Sequence, residues 1–208
     1  MGHDSRFITG GGGSVELVCG PMFSGKTSEL MRRVKRYSIP YENILIIKKI
    51  NLDSRYSQDY ISSHDQDVLD KMTFNCDTVM EGYQKYLSYR NNIPPDVIGI
   101  DEGQFFPDLV DSCESIANKG TIVIVAMLDG KFDRTMWIGN ETEHELVYRP
   151  IYEIFSIADK VDKLLAVCNI CKSTDAPFTK YIANGDHGEV DMGGIEKYNA
   201  VCRKCFFL

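Results

Sequence analysis

Runs of consecutive apolar residues alternate along the chain with longer segments in which apolar residues recur every three or four positions. The apolar runs predict strands at 15–19, 43–49, 96–102 and 121–128. The periodic segments predict helices at 25–39, 77–90 and 108–120, and the basic residues Arg32, Arg33, Lys35 and Arg36 are expected on the solvated face of the first helix. Strands that are apolar on both faces and alternate with helices are typical of a covered parallel sheet. We therefore predict an α/β fold in which helices flank a parallel sheet.

A glycine-rich turn, "GPMFSGKT", joins the first predicted strand to the first predicted helix. It satisfies the phosphate-loop (P-loop) pattern G-x-x-x-x-G-K-[ST], in which backbone N–H groups surround a phosphate and the lysine adds positive charge. The hydroxyl of Thr27 is also suited to binding Mg²⁺. A chance match ahead of a helix is the alternative, but the flanking strand and helix favour a nucleotide site. The predicted nucleotide-binding residues are Gly20, Pro21, Met22, Phe23, Ser24, Gly25, Lys26 and Thr27.

Two adjacent carboxylates, Asp101 and Glu102, end the third apolar run in "VIGIDEGQFF". In an α/β sheet, ligands bind beyond the carboxyl ends of the strands. We predict that Asp101 holds Mg²⁺, as an acid after a buried strand does beside a phosphate loop. Glu102, expected to point to the opposite face, is the candidate general base for an acceptor hydroxyl. The alternative is that both residues cap the following turn.

Four of the seven cysteines form two C-x-x-C pairs, Cys168 with Cys171 and Cys202 with Cys205. Two such pairs are suited to one tetrahedral structural zinc ion. Redox dithiols or disulfides are the alternative, but an odd cysteine count without a secretory leader indicates a reducing, cytoplasmic compartment, which favours zinc. The other cysteines are expected to be small buried hydrophobic residues, and they are Cys19, Cys76 and Cys113.

These features divide the chain into three predicted parts. A Gly/Ser-rich flexible leader covers 1–14, and the P-loop nucleotide-binding domain covers 15–165. Near Cys168 the strand and helix pattern gives way to short segments rich in Gly, Asp and Asn, which predicts a zinc-binding lasso domain at 166–208. Zinc would fasten the base of the long loop between the two cysteine pairs.

Charge and hydropathy limit the function classes. The net charge of −7 argues against a nucleic-acid-binding surface, and no apolar run reaches the ~18 residues that span a membrane. Two alternatives to an enzyme acting on a small molecule stay open from the residues alone. A nucleic-acid-dependent ATPase with a zinc ribbon would show DNA-stimulated ATP hydrolysis, and a nucleotide-sensing switch would phosphorylate no acceptor.

Six segments, taken in order, resemble those of the type II, zinc-containing thymidine kinases: "GPMFSGKT", "DSRYS", "IGIDEGQFF", "LDGKF", "AVCNIC" and "GGIEKYNAVCRKC". The resemblance runs from about Val15 to Phe206. It implies ATP- and Mg²⁺-dependent transfer of the γ-phosphoryl group to the 5′-hydroxyl of thymidine, with deoxyuridine as a second candidate acceptor, in nucleotide salvage. It also implies a homo-oligomer, either a tetramer or a dimer.

The resemblance assigns further roles to individual residues. The phosphate donor would contact Asp53, Ser54, Arg55, Asp101 and Gln104. The nucleoside would contact Met22, Phe105, Leu128, Phe132, Thr179, Glu189, Val190, Asp191, Met192, Gly193 and Tyr198. Within that set, Phe132 would stack on the pyrimidine and the lasso backbone would contact the edge of the base. His64 is expected to order its loop.

Three departures from the family pattern bear on the nucleoside rather than on the transfer chemistry. The connection between Asp129 and Cys168 is longer than usual and contains the only tryptophan, so a surface excursion or an altered subunit contact is expected there. Tyr181 stands where the family often has a basic residue, and Asp191 stands where an apolar residue is common. We expect these changes to alter base preference and affinity.

Overall fold

The computed structural model describes residues 12–50, 73–139, 148–183 and 193–208. Its largest feature is a six-stranded sheet with the spatial order β3-β2-β4-β5-β1-β6, in which every adjacent pair is parallel. The strands are β1 (Ser14–Gly20), β2 (Ile44–Lys49), β3 (Thr73–Cys76), β4 (Val97–Ile100), β5 (Ile122–Leu128) and β6 (Lys160–Lys163). The predicted α/β fold is confirmed.

Helices follow the strands at the positions that the periodicity predicts. They are α1 (Lys26–Tyr37), α2 (Val79–Tyr89) and α3 (Leu109–Ala117), and a short helix, α4 (Ile154–Ile157), precedes β6. Gly120 follows α3 with a φ of 98°, a conformation that glycine adopts at little cost at the end of a helix. No helix within the described ranges has both the length and the apolarity needed to cross a bilayer.

Both faces of the sheet are covered at its centre, which explains why β4 and β5 contain no polar side chain. Along β5, Val123, Val125 and Met127 belong to one hydrophobic cluster, whereas Ile124 and Ala126 belong to another. Helices α2, α3 and α4 pack into the first cluster, and α1 packs into the second. Since alternate residues of a strand point to opposite faces, an uninterrupted apolar run is what such a sheet requires.

A smaller unit, called here the C-terminal unit, consists of the described residues of 166–208. Strands β7 (Phe178–Tyr181) and β8 (Tyr198–Val201) form an antiparallel pair, and α5 (Arg203–Phe206) follows β8. The unit has its own buried cluster, made of Ala166, Cys168, Ala176, Ala200, Val201 and Cys205. This cluster is separate from the two hydrophobic clusters that cover the large sheet.

One residue of the basic run in α1 is not solvated as predicted. Arg33 is only 6% exposed, because its guanidinium group pairs with carboxylates from three elements. It contacts Glu16 of β1 at 2.9 Å, Glu29 of α1 at 2.8 Å and Asp162 of β6 at 2.6 Å. The partners lie far apart in sequence, so periodicity alone could not reveal them. Arg33 ties α1 to the edge of the sheet.

A buried carboxylate, Asp108, joins α2 to α3. Asp108 is 2% exposed and accepts hydrogen bonds from the backbone N–H groups of Val79 and Met80, both at 2.9 Å. It also accepts a 2.6 Å hydrogen bond from the Ser112 hydroxyl. Its negative charge lies at the positive end of α2, where the first N–H groups have no partner within the helix.

We expect Asp108→Ala to lower the free energy of unfolding by about 3 kcal/mol, because it leaves one buried N–H group, one partly buried N–H group and a buried hydroxyl without their charged acceptor. Asp108→Asn retains one acceptor oxygen and should lose less. Urea denaturation of the purified variants measures both. The same deletion at exposed Asp175 is the control, expected within ~0.5 kcal/mol of wild type. Equal losses at both positions would contradict this role for Asp108.

Candidate active site

The site begins where the carboxyl ends of β1, β4 and β5 meet. In the register of the sheet, Gly20 at the end of β1 lies beside Leu128 at the end of β5, and Ile100 at the end of β4 lies beside Val125. The 20–27 loop, Asp101 and the residues after Leu128 therefore emerge at one edge. This is the edge at which α/β sheets bind ligands.

Two glycines give the 20–27 loop its course. Gly20 has a φ of 150°, and a Cβ atom there would lie 2.5 Å from the carbonyl oxygen of Leu164. Gly25, which precedes α1, has a φ of 82° and a left-handed conformation. Between them, Phe23 also has a positive φ, of 65°. The loop thus turns tightly above the start of α1, where backbone N–H groups carry the positive end of the helix dipole.

Lys26 places a buried positive charge inside this loop. It is 8% exposed, and its ammonium group donates a 2.7 Å hydrogen bond to the carbonyl oxygen of Pro21. Burial lowers the pKa of Lys26, while the nearby carboxylates of Glu102, Asp129 and Asp101 act in the opposite direction. Asp129 was not among the predicted site residues, and it also forms a 2.6 Å ion pair with Lys163. Because Asp129 directly follows β5, its place at this edge follows from the same strand-end rule as that of Asp101.

Thr27 and Asp101, the predicted magnesium pair, are in contact. The Thr27 hydroxyl donates a 3.0 Å hydrogen bond to Oδ1 of Asp101, which also accepts one from the backbone N–H of Glu102 at 3.1 Å. Burial raises the pKa of Asp101 to about 6, and the neighbouring carboxylate of Glu102 adds to the shift. A hydroxyl and a carboxylate are hard oxygen ligands of the kind that Mg²⁺ prefers, so this pair fits the ion.

The sequence predicts that Glu102 ends an extended strand. In the structure a turn orients it instead. Strand β4 ends at Ile100, and Glu102 has left-handed backbone angles, with φ 55° and ψ 46°. Its Oε2 accepts a 2.6 Å hydrogen bond from the side-chain amide of Gln104, whose Oε1 accepts one from the backbone N–H of Leu128 at 3.0 Å. Gln104 is 3% exposed. It therefore links the Glu102 carboxylate to the end of β5.

An aromatic cluster forms where the connection after β5 meets the C-terminal unit. The ring centroid of Phe132 lies 5.5 Å from that of Tyr181 and 6.3 Å from that of Tyr198, and the two tyrosine rings are 5.4 Å apart. Phe132 and Tyr198 were predicted to meet the nucleoside. Tyr181 was noted only as a departure, although it shares a face of β7 with Thr179, two residues earlier, which was predicted.

Phe105 has a different aromatic partner. Its ring lies 5.7 Å from that of Trp137 in an edge-to-face arrangement. The tryptophan in the longer connection therefore packs against the segment that follows the carboxylate pair, and residues 140–147 of that connection lie outside the described part of the chain. Nothing in the periodicity around Trp137 indicates this contact, because the two residues come from distant parts of the chain.

A direct hydrogen bond connects the C-terminal unit to the 20–27 loop. The hydroxyl of Thr179 accepts it from the backbone N–H of Met22, with a donor–acceptor distance of 3.0 Å. Thr179 is 6% exposed. Both residues were predicted to surround the nucleoside, and the structure brings them together.

The four predicted zinc ligands converge in the C-terminal unit. The Sγ atoms of Cys168, Cys171, Cys202 and Cys205 all lie within 4.8 Å of one another. Those of Cys171 and Cys202 are 3.6 Å apart. A tetrahedral zinc ion with Zn–S bonds of about 2.3 Å places sulfurs about 3.8 Å apart, so the cluster fits the ion. The other cysteines are buried, as predicted, and they are Cys19, Cys76 and Cys113.

The lowered pKa of the Cys168 thiol favours binding of a cation at this position. Burial acts to raise its pKa, but backbone N–H groups of Cys171, Cys202 and Ile170 outweigh that effect and lower it to about 6. N–H groups directed at sulfur stabilise the thiolate, which is the form that binds metal.

Some predicted residues lie outside the described part of the chain. They are Asp53, Ser54, Arg55, His64, Glu189, Val190, Asp191 and Met192. Gly193 is described, and a Cβ atom at that position would approach the Lys197 side chain to 2.5 Å.

Comparisons with known proteins agree with these motifs. The profile of the thymidine kinase family matches residues 13–206. The thymidine kinase of Myxoma virus (strain Lausanne) is 40% identical over 197 residues, which cover 94% of this chain and 97% of the relative. The cytosolic thymidine kinase of Gallus gallus is 40% identical over 196 residues, covering 94% and 77%. Thymidine kinase 1 of Dictyostelium discoideum is 38% identical over 198 residues, covering 93% and 78%. The chain therefore belongs to the thymidine kinase family.

Proposed function

We propose that this protein transfers the γ-phosphoryl group of ATP to the 5′-hydroxyl of thymidine, with deoxyuridine as a second candidate acceptor. The observation that carries the proposal is the meeting of Lys26, Asp101 and Glu102 at one edge of the sheet. A buried cation beside a carboxylate pair is suited to holding a phosphate chain and to deprotonating an acceptor hydroxyl. Family membership supports thymidine as that acceptor.

On the phosphate side, the N–H groups of the 20–27 loop and the Lys26 ammonium would bind the triphosphate, so the loop would act as a P-loop. Lys26 would exchange the Pro21 carbonyl for a phosphate oxygen. Thr27 and Asp101 would hold Mg²⁺, whose charge neutralises the phosphates when it is bound. Arg55, with Asp53 and Ser54, would contact the same donor. We assign Gln104 the role of positioning Glu102, because its side-chain nitrogen and its side-chain oxygen both form hydrogen bonds within the protein.

On the acceptor side, the Glu102 carboxylate would take the proton of the 5′-hydroxyl as that oxygen attacks the γ-phosphorus. The bond from the γ-phosphorus to the bridging oxygen then breaks, and ADP leaves with the electron pair. The hydrogen bond from Gln104 fixes the orientation of the carboxylate in advance. Preorganisation of this kind lowers the cost of reaching the transition state.

The pyrimidine would lie against the aromatic cluster of Phe132, Tyr181 and Tyr198. Residues 189–193 would close over it as the zinc-fastened lasso, in a domain covering 166–208 beside the nucleotide-binding domain at 15–165. Because of the family resemblance, we also expect a cytoplasmic homo-oligomer, either a tetramer or a dimer. Light scattering would distinguish these forms from a monomer by their molar mass.

The activity is tested by incubating the protein with ATP, Mg²⁺ and a panel of nucleosides, with Glu102→Gln beside wild type. Wild type should form thymidine monophosphate. The variant should bind ATP normally but lose about 100-fold or more in kcat, because an amide cannot accept the proton. Chromatography of products and calorimetric titration with a non-hydrolysable ATP analogue measure the two quantities.

Exposed Glu42→Gln is the matched control, expected to keep full activity. A fully active Glu102→Gln protein would overturn the base assignment alone. ATP hydrolysis stimulated by DNA, or nucleotide binding without any phosphorylated nucleoside, would overturn the proposed function.

The four-cysteine cluster should retain one zinc ion per chain. Cys171→Ser is expected to lose the ion and to lower the midpoint of thermal unfolding, because metal binding contributes directly to folding of such small units. Metal analysis by mass spectrometry and a thermal scan measure the two effects. Cys76→Ala, which removes a cysteine outside the cluster, should keep the ion. A Cys171→Ser protein with undiminished zinc would contradict the assignment.

The hydroxyl of Thr179 should contribute more to kcat/KM for thymidine than its methyl group does. Thr179→Val removes the acceptor for the Met22 N–H and is expected to lower kcat/KM for thymidine roughly tenfold. Thr179→Ser keeps the hydroxyl and should stay within about threefold of wild type by the same reasoning. Steady-state kinetics with both substrates compares them. Equal losses in the two variants would show that the hydrogen bond to the loop is not what matters.

A further inference from the structure

The connection after β5 contains a compact turn at 131–135. The backbone N–H of Lys131 donates to the carbonyl oxygen of Thr135 at 3.0 Å, and that of Arg134 donates to the carbonyl oxygen of Lys131 at 2.9 Å. The Asp133 carboxylate accepts from both the N–H and the hydroxyl of Thr135, at 2.9 and 2.6 Å. Phe132 and Arg134 therefore belong to one hydrogen-bonded turn.

Arg134 anchors this turn on the C-terminal unit. Its guanidinium carbon lies 4.7 Å from the ring centroid of Phe206 and 5.0 Å from that of Phe207, both within cation–π range. Arg134 also has a φ of 69°, a conformation that costs a non-glycine residue free energy. Arg134 keeps this strained backbone conformation while its side chain lies over two rings. Contacts with its surroundings must therefore offset the cost of the strain.

The two rings are attached to the cysteine cluster. Phe206 directly follows Cys205, and its backbone N–H donates a 3.0 Å hydrogen bond to the carbonyl oxygen of Cys202. Its ring also packs edge-to-face against Phe178 of β7 at 5.5 Å. The position of these rings thus depends on the second cysteine pair being ordered.

At the other side of the turn, Phe132 lies within the aromatic cluster that contains Tyr181 and Tyr198. We propose that Arg134 is a positioning residue that couples the second cysteine pair, through Phe206 and Phe207, to the placement of Phe132 against the pyrimidine. The inference rests on the proposed function, in which Phe132 contacts the base. In this proposal Arg134 acts through the rings and the turn, without a contact to the substrate or the reacting atoms.

The chain provides a matched control for this role. Arg203 places its guanidinium carbon 4.9 Å from the ring centroid of Phe178, so it makes the same type of contact within the C-terminal unit. Arg203 belongs to α5 and not to the 131–135 turn. A general effect of losing a surface arginine would appear in both variants, whereas positioning of Phe132 would be lost only with Arg134.

The experiment compares Arg134→Met and Arg203→Met with wild type under steady-state conditions, with zinc content confirmed for each. Arg134→Met should raise the KM for thymidine about three- to tenfold, from two cation–π contacts, while kcat and the KM for ATP stay within about twofold. Arg203→Met should leave all three constants near wild type. Arg134→Lys, which keeps the charge, should recover part of the loss.

A double-mutant cycle tests whether the effect passes through the rings. Arg134→Met should change the KM for thymidine little when Phe206 and Phe207 are both already leucine. Quenching of the fluorescence of Trp137, the only tryptophan, by acrylamide should rise in Arg134→Met, since the ammonium group of Lys131, in the same turn, lies 5.8 Å from the centroid of the Trp137 ring. An unchanged KM in Arg134→Met, an equal change in Arg203→Met, or simple additivity in the cycle would overturn the coupling.

Phe132→Leu separates this inference from the function on which it rests. If Phe132→Leu raises the KM for thymidine and Arg134→Met does not, the coupling fails and the placement of the pyrimidine stands. If Phe132→Leu leaves that KM unchanged, the placement of the base against Phe132 is wrong, and the role of Arg134 is overturned with it.

Discussion

The burial of Lys26 among carboxylates is the constraint on which the rest of the site depends. A lysine that is 8% exposed is stable only where opposite charges and hydrogen-bond acceptors offset its desolvation. Asp101, Glu102 and Asp129 supply those charges, and each follows the carboxyl end of a buried strand. The parallel sheet brings these ends together, so the fold places the charges and the charges permit the burial. Phosphate oxygens could replace the carbonyl of Pro21 as the partner of Lys26 without any change in the sheet.

The central sheet could be predicted from sequence because burial on both faces leaves a simple pattern. Strands β4 and β5 coincide with uninterrupted apolar runs, and β1 and β2 are mostly apolar, with Glu16 in β1 and two lysines at the end of β2. The strands that were not predicted, β3 and β6, lie at the two edges of the sheet. Strand β6 reads Lys-Val-Asp-Lys and is largely exposed, so it has neither an apolar run nor a clear alternation. Its strand conformation comes from pairing with β1, which is tertiary information that a local pattern does not contain.

The site shows the same division between local and long-range information. The residues of the 20–27 loop, the carboxylate pair and the cysteine pairs could be selected as candidates because the proposed chemistry needs them at fixed spacing in sequence. The function of Gln104 as a link between Glu102 and Leu128 was not found, nor was the burial of Arg33. Both depend on partners in other elements. Glu102 shows a third case, in which the predicted edge of the sheet is right but the predicted backbone geometry is wrong, because the strand ends two residues before Glu102.

The C-terminal unit contacts the larger unit through two arrangements that serve different ends of the proposed site. Thr179 accepts a hydrogen bond from a backbone N–H of the 20–27 loop, the loop that would bind the triphosphate. Phe206 and Phe207 hold the turn that carries Phe132, on the pyrimidine side. The first is a partly buried hydrogen bond, whose loss leaves a donor without its partner, and the second is a pair of more exposed cation–π contacts. If the cysteine cluster orders the unit, one metal ion stabilises both ends of the site at once. Because the contacts are made by different residues, their contributions can be removed separately while the ion stays in place.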